Sequence, residues 1–467
     1  MPMQENKQLK AYLKAILGDQ ITSFWNAKPE PRAIRINTIK ASKPEVEKRL
    51  QELKVPYRPV PFNDLGLIIE DDHVPLSQTI DFFLGKFYYQ GVSSQIPALI
   101  LNPQPGEKVL DMTASPGSKS TQIAALMNNT GFLVLNDVSM KRLQALNTNI
   151  QKVGAVNYAV YRQPGERIGN VLPEYFDKVL LDAPCTALGI MHSHPEVYSW
   201  WTYRRMQKIV EKQRQLLISA YKALKVGGEM VYSTCSIAPE ENEMLIQFML
   251  DHYPLEILEV DAHWHEKFLP GLTEYEGKKF TPEMERAIRV LPHIHEMEGF
   301  FVIKLRKTGK RHKEKTNFKT FKTLGYTDPE INDSLLQISE QWGIPGQEWQ
   351  KYRYIKTRDR IWMVNNQIKK IPEESFLNAG LLLGEKRLSG WKLPNDSIQF
   401  FSPFINKRLL ELPEEKLLEL FKTGLVAVPD AENGYFALSY KGKAIGSLYI
   451  EKGRAKMRLM HRFNIVL

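Results

Sequence analysis

Between Glu107 and Glu259 short apolar runs alternate with longer segments whose apolar residues recur at helical spacing. GEKVLDMTAS reads as a strand entering a turn, and KSTQIAALM as the helix after it. GFLVLND is a second strand and MKRLQALNTNIQKVG a second helix. VNYAVY, YFDKVLLDAPC and GGEMVYSTCS supply three more strands, separated by helices or loops. The long helix before the last of them carries Ile209, Leu216, Leu217, Ala220 and Leu224 at helical spacing. Gly227-Gly228 is expected to close it, as glycine does at helix C-termini. EGFFVIKLRK adds a final antiparallel strand. This alternation predicts an α/β fold with a doubly wound, mostly parallel sheet, because each crossover helix must cover a sheet face.

The flanks read differently. Leu9, Tyr12, Leu13, Ile16 and Leu17 form one face of a short amphipathic N-terminal helix. From Lys304 to Lys322 Lys and Arg stand at 304, 306, 307, 310, 311, 313, 315, 319 and 322 against the single acid Glu314. Such a block is a solvated linker or a strap for nucleic acid. Beyond it, Arg360 to Asn365 and ENGYFALSYKGKAIGSLYI are strand-like runs with turn signals. The expected division is a Lys- and Pro-rich N-terminal region at 1–90, the α/β domain at 91–306, a basic linker at 307–325, and β-rich modules at 326–390 and 391–467. No run of 18 apolar residues occurs, and the N-terminus lacks the pattern of a signal peptide, so a cytoplasmic protein without membrane contact is expected.

Charge and cysteine content narrow the function. With 63 basic and 53 acidic residues the net charge is +10, which suits a polyanionic partner. Cys185 and Cys235 are the only cysteines, too few for a disulfide framework. His192 and His194 follow Cys185 without a zinc-ligand spacing, so no metal is expected.

Three strand-end segments carry candidate chemistry. Asp111-Met-Thr-Ala-Ser-Pro-Gly-Ser-Lys119 links a strand to a helix, where small residues admit a ligand to backbone N–H groups. It is not a P-loop, since Ser118 separates Gly117 from Lys119; alone, it also reads as a tight connection. Asp137 ends the next strand, suited to the ribose hydroxyls of a nucleoside cofactor or to capping the helix that follows. Asp182 and Cys185 end one strand and Cys235 another, at the sheet edge where open α/β sheets bind ligands. Either cysteine alone reads as a buried structural thiol. The pair at two strand ends does not.

DMTASPGSKS, DAPCTALG and YSTCSIAPEENE, in this order, resemble the Nop/Sun family of RNA cytosine-C5 methyltransferases. Weaker agreement runs through PRAIRINTIK, FYYQGVSSQIPALIL, the Gln213 helix and RVLPHIHEMEGFFV, so that the likeness spans residues 30–305. AGLLLGEKRLSGWKLPNDS is similar to the bacterial branch that acts on small-subunit ribosomal RNA and appends a PUA-like RNA-binding module. The resemblance implies a Rossmann-like domain using S-adenosyl-L-methionine, with 16S ribosomal RNA as substrate and a monomeric enzyme. It implies Cys235 as the nucleophile that adds to cytosine C6, Asp182 on the base's N3/N4 edge and bordering the cofactor, and Cys185 as promoter of the final elimination. It further implies Thr113, Ala114, Ser115, Pro116, Gly117, Ser118 and Lys119 around the cofactor's methionine part, with Lys119 near the reacting centre and Asp137 on the ribose.

The chain departs from the family pattern at Thr113 and Ser115, at Thr186-Ala187 in place of Ser-Gly, and at His192-Ser-His194. The family's adenine-contacting Asp is replaced by the stretch Arg162-Gln-Pro-Gly-Glu166, leaving Gln163 or Glu166 to substitute or the cofactor affinity lowered. Transfer RNA as substrate, a non-catalytic ribosome-assembly or RNA-binding factor, and a methyltransferase for proteins or small molecules are the competing readings.

Overall fold

A computed structural model describes residues 6–71, 73–311, 318–459, 462 and 464–467. Helix Lys7–Leu17 buries Leu9, Leu13 and Leu17 against a cluster that includes Leu188, Trp201 and Ile237. A four-stranded antiparallel sheet follows, built from Ala33–Ile36, Tyr57–Val60, Asn63–Ile69 and Phe87–Tyr89. It is tied to the α/β domain by Arg35, buried and donating to Gln90 at 2.7 Å and Thr121 at 2.8 Å. Those two bonds join the PRAIRIN and FYYQG segments to the α/β domain. They build one buried joint.

The central sheet contains strands β1 (Lys108–Asp111), β2 (Phe132–Asn136), β3 (Tyr158–Tyr161), β4 (Phe176–Asp182), β5 (Leu224–Thr234), β6 (Ile288–Val290), β7 (Phe300–Lys307) and β8 (Phe376–Ala379). Their order is β6-β7-β5-β4-β1-β2-β3-β8, with Leu269–Pro270 beyond β6 and Leu255–Ile257 on β7. Strands β5 to β3 are parallel, whereas β6, β7 and β8 are antiparallel to their neighbours. The strand order reverses between β1 and β4, which opens a crevice at their C-terminal ends. Register there aligns Asp111 with Leu180 and Asp182 with Ser233. Helices α1 (Ser118–Leu126), α2 (Met140–Lys152) and α3 (Tyr203–Ala223) include the crossovers that cover its faces.

Helix α3 ends four residues short of Gly227, and Leu224 already belongs to β5. The glycines serve a bulge instead: Phe176 pairs with Leu224 and Lys178 with Glu229, so β5 must fit five steps where β4 has two. Gly227 takes φ +83° within that excess, a conformation that glycine adopts without steric cost.

The described parts of the expected linker and of the C-terminal modules are built into sheets. Within 307–325, Lys307 ends β7 and Thr320–Lys322 pairs with Lys370–Pro372. Lys304 and Arg306 pair with Glu229, and Lys310 with Glu174; the basic stretch at 312–317 lies outside the described residues. Strand β8, from the 326–390 region, extends the central sheet beside β3. The cut at 390 falls inside a hairpin that pairs Leu381–Arg387 with Gly390–Lys392. A five-stranded sheet from Leu409 to Met457 completes the chain's C-terminal part.

Candidate active site

The turn after β1 is held from several sides. Thr113 Oγ1 donates to the Asp182 carbonyl at 2.7 Å, and the Ala114 N–H to the Asn136 carbonyl at 2.8 Å. Arg142 and Asn149 of α2 donate to the carbonyls of Ser115 and Pro116 at 2.7 and 2.9 Å. Gly117 has φ +109°, and a Cβ there would stand 2.9 Å from Leu146 Cδ1, so a side chain is excluded twice over. Ser118 opens α1. The Ser115 hydroxyl is buried and has no hydrogen-bond partner among the described residues. A buried orphan of this kind fits a ligand bound in the turn.

Lys119, one residue into α1, reaches back to the crevice. Its Nζ lies 2.8 Å from Asp182 Oδ2, 3.1 Å from Ser94 Oγ and 5.3 Å from the Phe300 ring centroid. Ser233 donates to Asp182 Oδ1 at 2.8 Å. Asp182 is therefore held by a cation on one oxygen and a hydroxyl on the other, while remaining 30% exposed. Asp111 is buried against the Ser120 hydroxyl at 2.6 Å, and burial pushes its acid up to about 7.

Three residues past Asp182, Cys185 meets Cys235 with their sulfurs 3.1 Å apart. Both are free thiols and half-buried. The hydrogen bond with Cys235, then burial, raise Cys185 above the ordinary thiol range. Glu241, fully buried, joins the two cysteine loops: it accepts from the Thr186 N–H at 2.8 Å, from Ser236 Oγ at 2.6 Å, from Gln213 at 2.9 Å, and from Thr186 Oγ1. Gln213 also donates to the Pro184 carbonyl at 2.9 Å.

The whole PEENE segment fans out from this point. Glu240 accepts from Tyr12 of the N-terminal helix at 2.5 Å. Asn242 accepts from Thr234 Oγ1 at 2.7 Å and donates to the Ser236 carbonyl at 3.0 Å. Glu243 pairs with buried Arg289 at 2.5 Å. Sequence reasoning missed Glu241, Gln213, Ser233 and Ser94 as site residues; YSTCSIAPEENE and the Gln213 helix were the available signal for the first three.

The departures resolve one by one. Thr186 retains a hydroxyl and turns it to Ser236 and Glu241, and Ala187 has φ +59°. His192 meets the Phe24 carbonyl at 2.7 Å, and His194 meets Glu196 at 3.0 Å. Asp137 accepts from the Ser139 N–H at 2.9 Å, with Arg142 at 3.5 Å; the cap of α2 is Ser139, not Asp137. Gln163 bonds Ser375 just before β8, while Glu166 is drawn to Lys212 at 2.6 Å. Thr113 and Lys119 of the 113–119 turn thus meet Asp182, the two thiols meet each other, and buried Asp137 is tied to the turn through Arg142. Among the described residues no group of His, Cys, Asp and Glu could hold a metal ion.

Comparison with known proteins gives a consistent result. The profile of the family described as 16S rRNA methyltransferase RsmB/F matches residues 98–306. The chain is similar to ribosomal RNA small subunit methyltransferase F of Cronobacter sakazakii, 33% identical over 428 residues, covering 87% of this chain and 85% of that one. The enzyme of the same name from Aliivibrio fischeri is 33% identical, with 90% and 88% covered. Among solved structures, a methyltransferase homologue from Pyrococcus horikoshii is 34% identical with a TM-score of 0.60, covering 65% of this chain and 96% of that one. NSun6 from the same organism, at 24% identity and TM-score 0.58, covers 66% of this chain and 100% of its own, and shares the fold.

Proposed function

The chain belongs to the 16S rRNA methyltransferase RsmB/F family, and on that premise we propose that it methylates carbon 5 of a cytosine in 16S ribosomal RNA. The observation that carries the chemistry is the pair of sulfurs 3.1 Å apart, one of them three residues past the ion-paired carboxylate of Asp182. Carbon 5 of cytosine is a poor nucleophile until something adds at carbon 6. A thiolate supplies that addition and divides one hard step into two easier ones.

S-adenosyl-L-methionine would supply an electrophilic methyl group on a sulfonium; Thr113 to Lys119 would hold its methionine part and Asp137 its ribose. The orphaned Ser115 hydroxyl and the Asp137 carboxylate at the strand end support that fit. Cys235 bonds to C6, and the electron pair of the C5=C6 bond becomes available at C5. Asp182 accepts a hydrogen bond from the exocyclic N4 amine, and the neighbouring Lys119 ammonium supports charge that builds on the ring. Once C5 carries the methyl group, Cys185 as thiolate takes the C5 proton. The C5=C6 bond re-forms and the Cys235–C6 bond breaks. The net charge of +10 suits a surface offered to RNA phosphates.

Incubation with labelled S-adenosylmethionine and, separately, purified small ribosomal subunits, 16S rRNA and transfer RNA tests this reading. Nucleoside analysis should find 5-methylcytosine in ribosomal RNA alone. Label confined to transfer RNA would replace the substrate, and label on another atom would replace the chemistry.

A further inference from the structure

The two sulfurs lie 3.1 Å apart as a hydrogen-bonded pair, and two thiolates at that distance would repel strongly, so the contact needs a proton on one of them. The pair's surroundings are unequal. Glu241 grips the Cys185 loop on both sides, directly through the Thr186 N–H and through Gln213 at the Pro184 carbonyl. On the Cys235 loop it is held by one hydroxyl, that of Ser236. The other titratable groups nearby do not offset it. Tyr232 is buried and donates to the Glu241 carbonyl at 2.7 Å, and Lys119 and Asp182 face each other at 2.8 Å.

We propose that Glu241 is a positioning residue: its carboxylate holds the two cysteine loops where one sulfur hydrogen-bonds the other, and its charge keeps the shared proton on Cys185. The family resemblance implies different roles for the two thiols without saying what distinguishes them. Glu241 supplies the difference, leaving Cys235 as the thiolate that adds. Bond formation at Cys235 then removes the anion beside Cys185. The Cys185 proton is released to solvent, and the same sulfur becomes a base for the second half of the reaction. Only this catalytic consequence rests on the function proposed above; the position of the proton belongs to the free protein.

Iodoacetamide labelling of the full chain without RNA or cofactor, read by peptide mass spectrometry from about pH 6 to about pH 10, measures each thiol separately. In the unsubstituted protein Cys235 should label at least about tenfold faster than Cys185 near neutral pH. Glu241→Gln, which keeps the shape and removes the charge, should bring the two rates within about threefold. Glu241→Asp, which keeps the charge and loses the reach, should preserve the order. A purely structural Glu241 predicts the reverse, with Gln closer to the parent than Asp. Faster labelling of Cys185 in the parent, or an unchanged ratio in Glu241→Gln, overturns the proposal; the first outcome needs no variant to fold. Methyl transfer to RNA is not part of the readout, so a failed substrate assignment cannot mimic either result.

Discussion

Asp182 holds Lys119 with one oxygen and Ser233 with the other, so Asp182→Asn leaves the shape and removes the charge that the proposed mechanism turns toward the base. Single-turnover methyl transfer should fall by about a hundredfold or more, while S-adenosylmethionine affinity by calorimetry changes far less. Asp111 makes a prediction about stability. Its acid is raised to about 7 by burial, so the folded chain binds a proton that the unfolded chain has released between about pH 4 and pH 7. The stability linked to it is therefore present below that window and lost as pH rises through 7. In Asp111→Asn the melting temperature should gain on the parent's as pH rises from about 5 to about 8. Cys185, Cys235, Asp182 and the 113–119 turn were legible because each lies within a contiguous motif. Ser233 and Glu241 were not, because what they touch is set by strand register and by a bridge between two loops.

Among the elements, the segment after β5 and the strand β6 stand far apart in the sequence and share one buried ion pair. Glu243 and Arg289 meet at 2.5 Å with side chains 0% and 6% exposed, and Arg289 also donates to the Ile237 carbonyl at 2.8 Å. Arg289→Ala leaves Glu243 buried without its counter-charge and should cost about 3–5 kcal/mol, read as a shifted urea midpoint. Replacement of both residues by apolar ones should cost less, since no uncompensated charge remains. The α/β alternation was legible along the chain because strand and crossover helix have different apolar periods. The end of α3 was not, because a Gly-Gly pair marks a helix stop and a β-bulge alike, and only the register of β4 against β5 decides between them.

On the scale of the molecule, strand β8 brings a distant part of the chain to the edge of the catalytic sheet, which no local pattern announces. Beyond it lies a cavity of about 880 Å³ whose lining includes Arg387, Lys392, Tyr435, Tyr449, Lys456 and Arg458. With RNA as substrate, Arg387→Ala combined with Lys456→Ala should weaken RNA binding and reduce its salt slope by about 2. Cofactor affinity should be unchanged. The two thiols act one after the other in the proposed reaction, and Cys185→Ala separates their steps. With RNA and S-adenosylmethionine this variant should form the bond to C6 and fail to release it, accumulating a protein–RNA adduct that peptide mapping locates on Cys235. Normal turnover without an adduct, or an adduct on any other residue, would remove Cys235 and Cys185 from these roles.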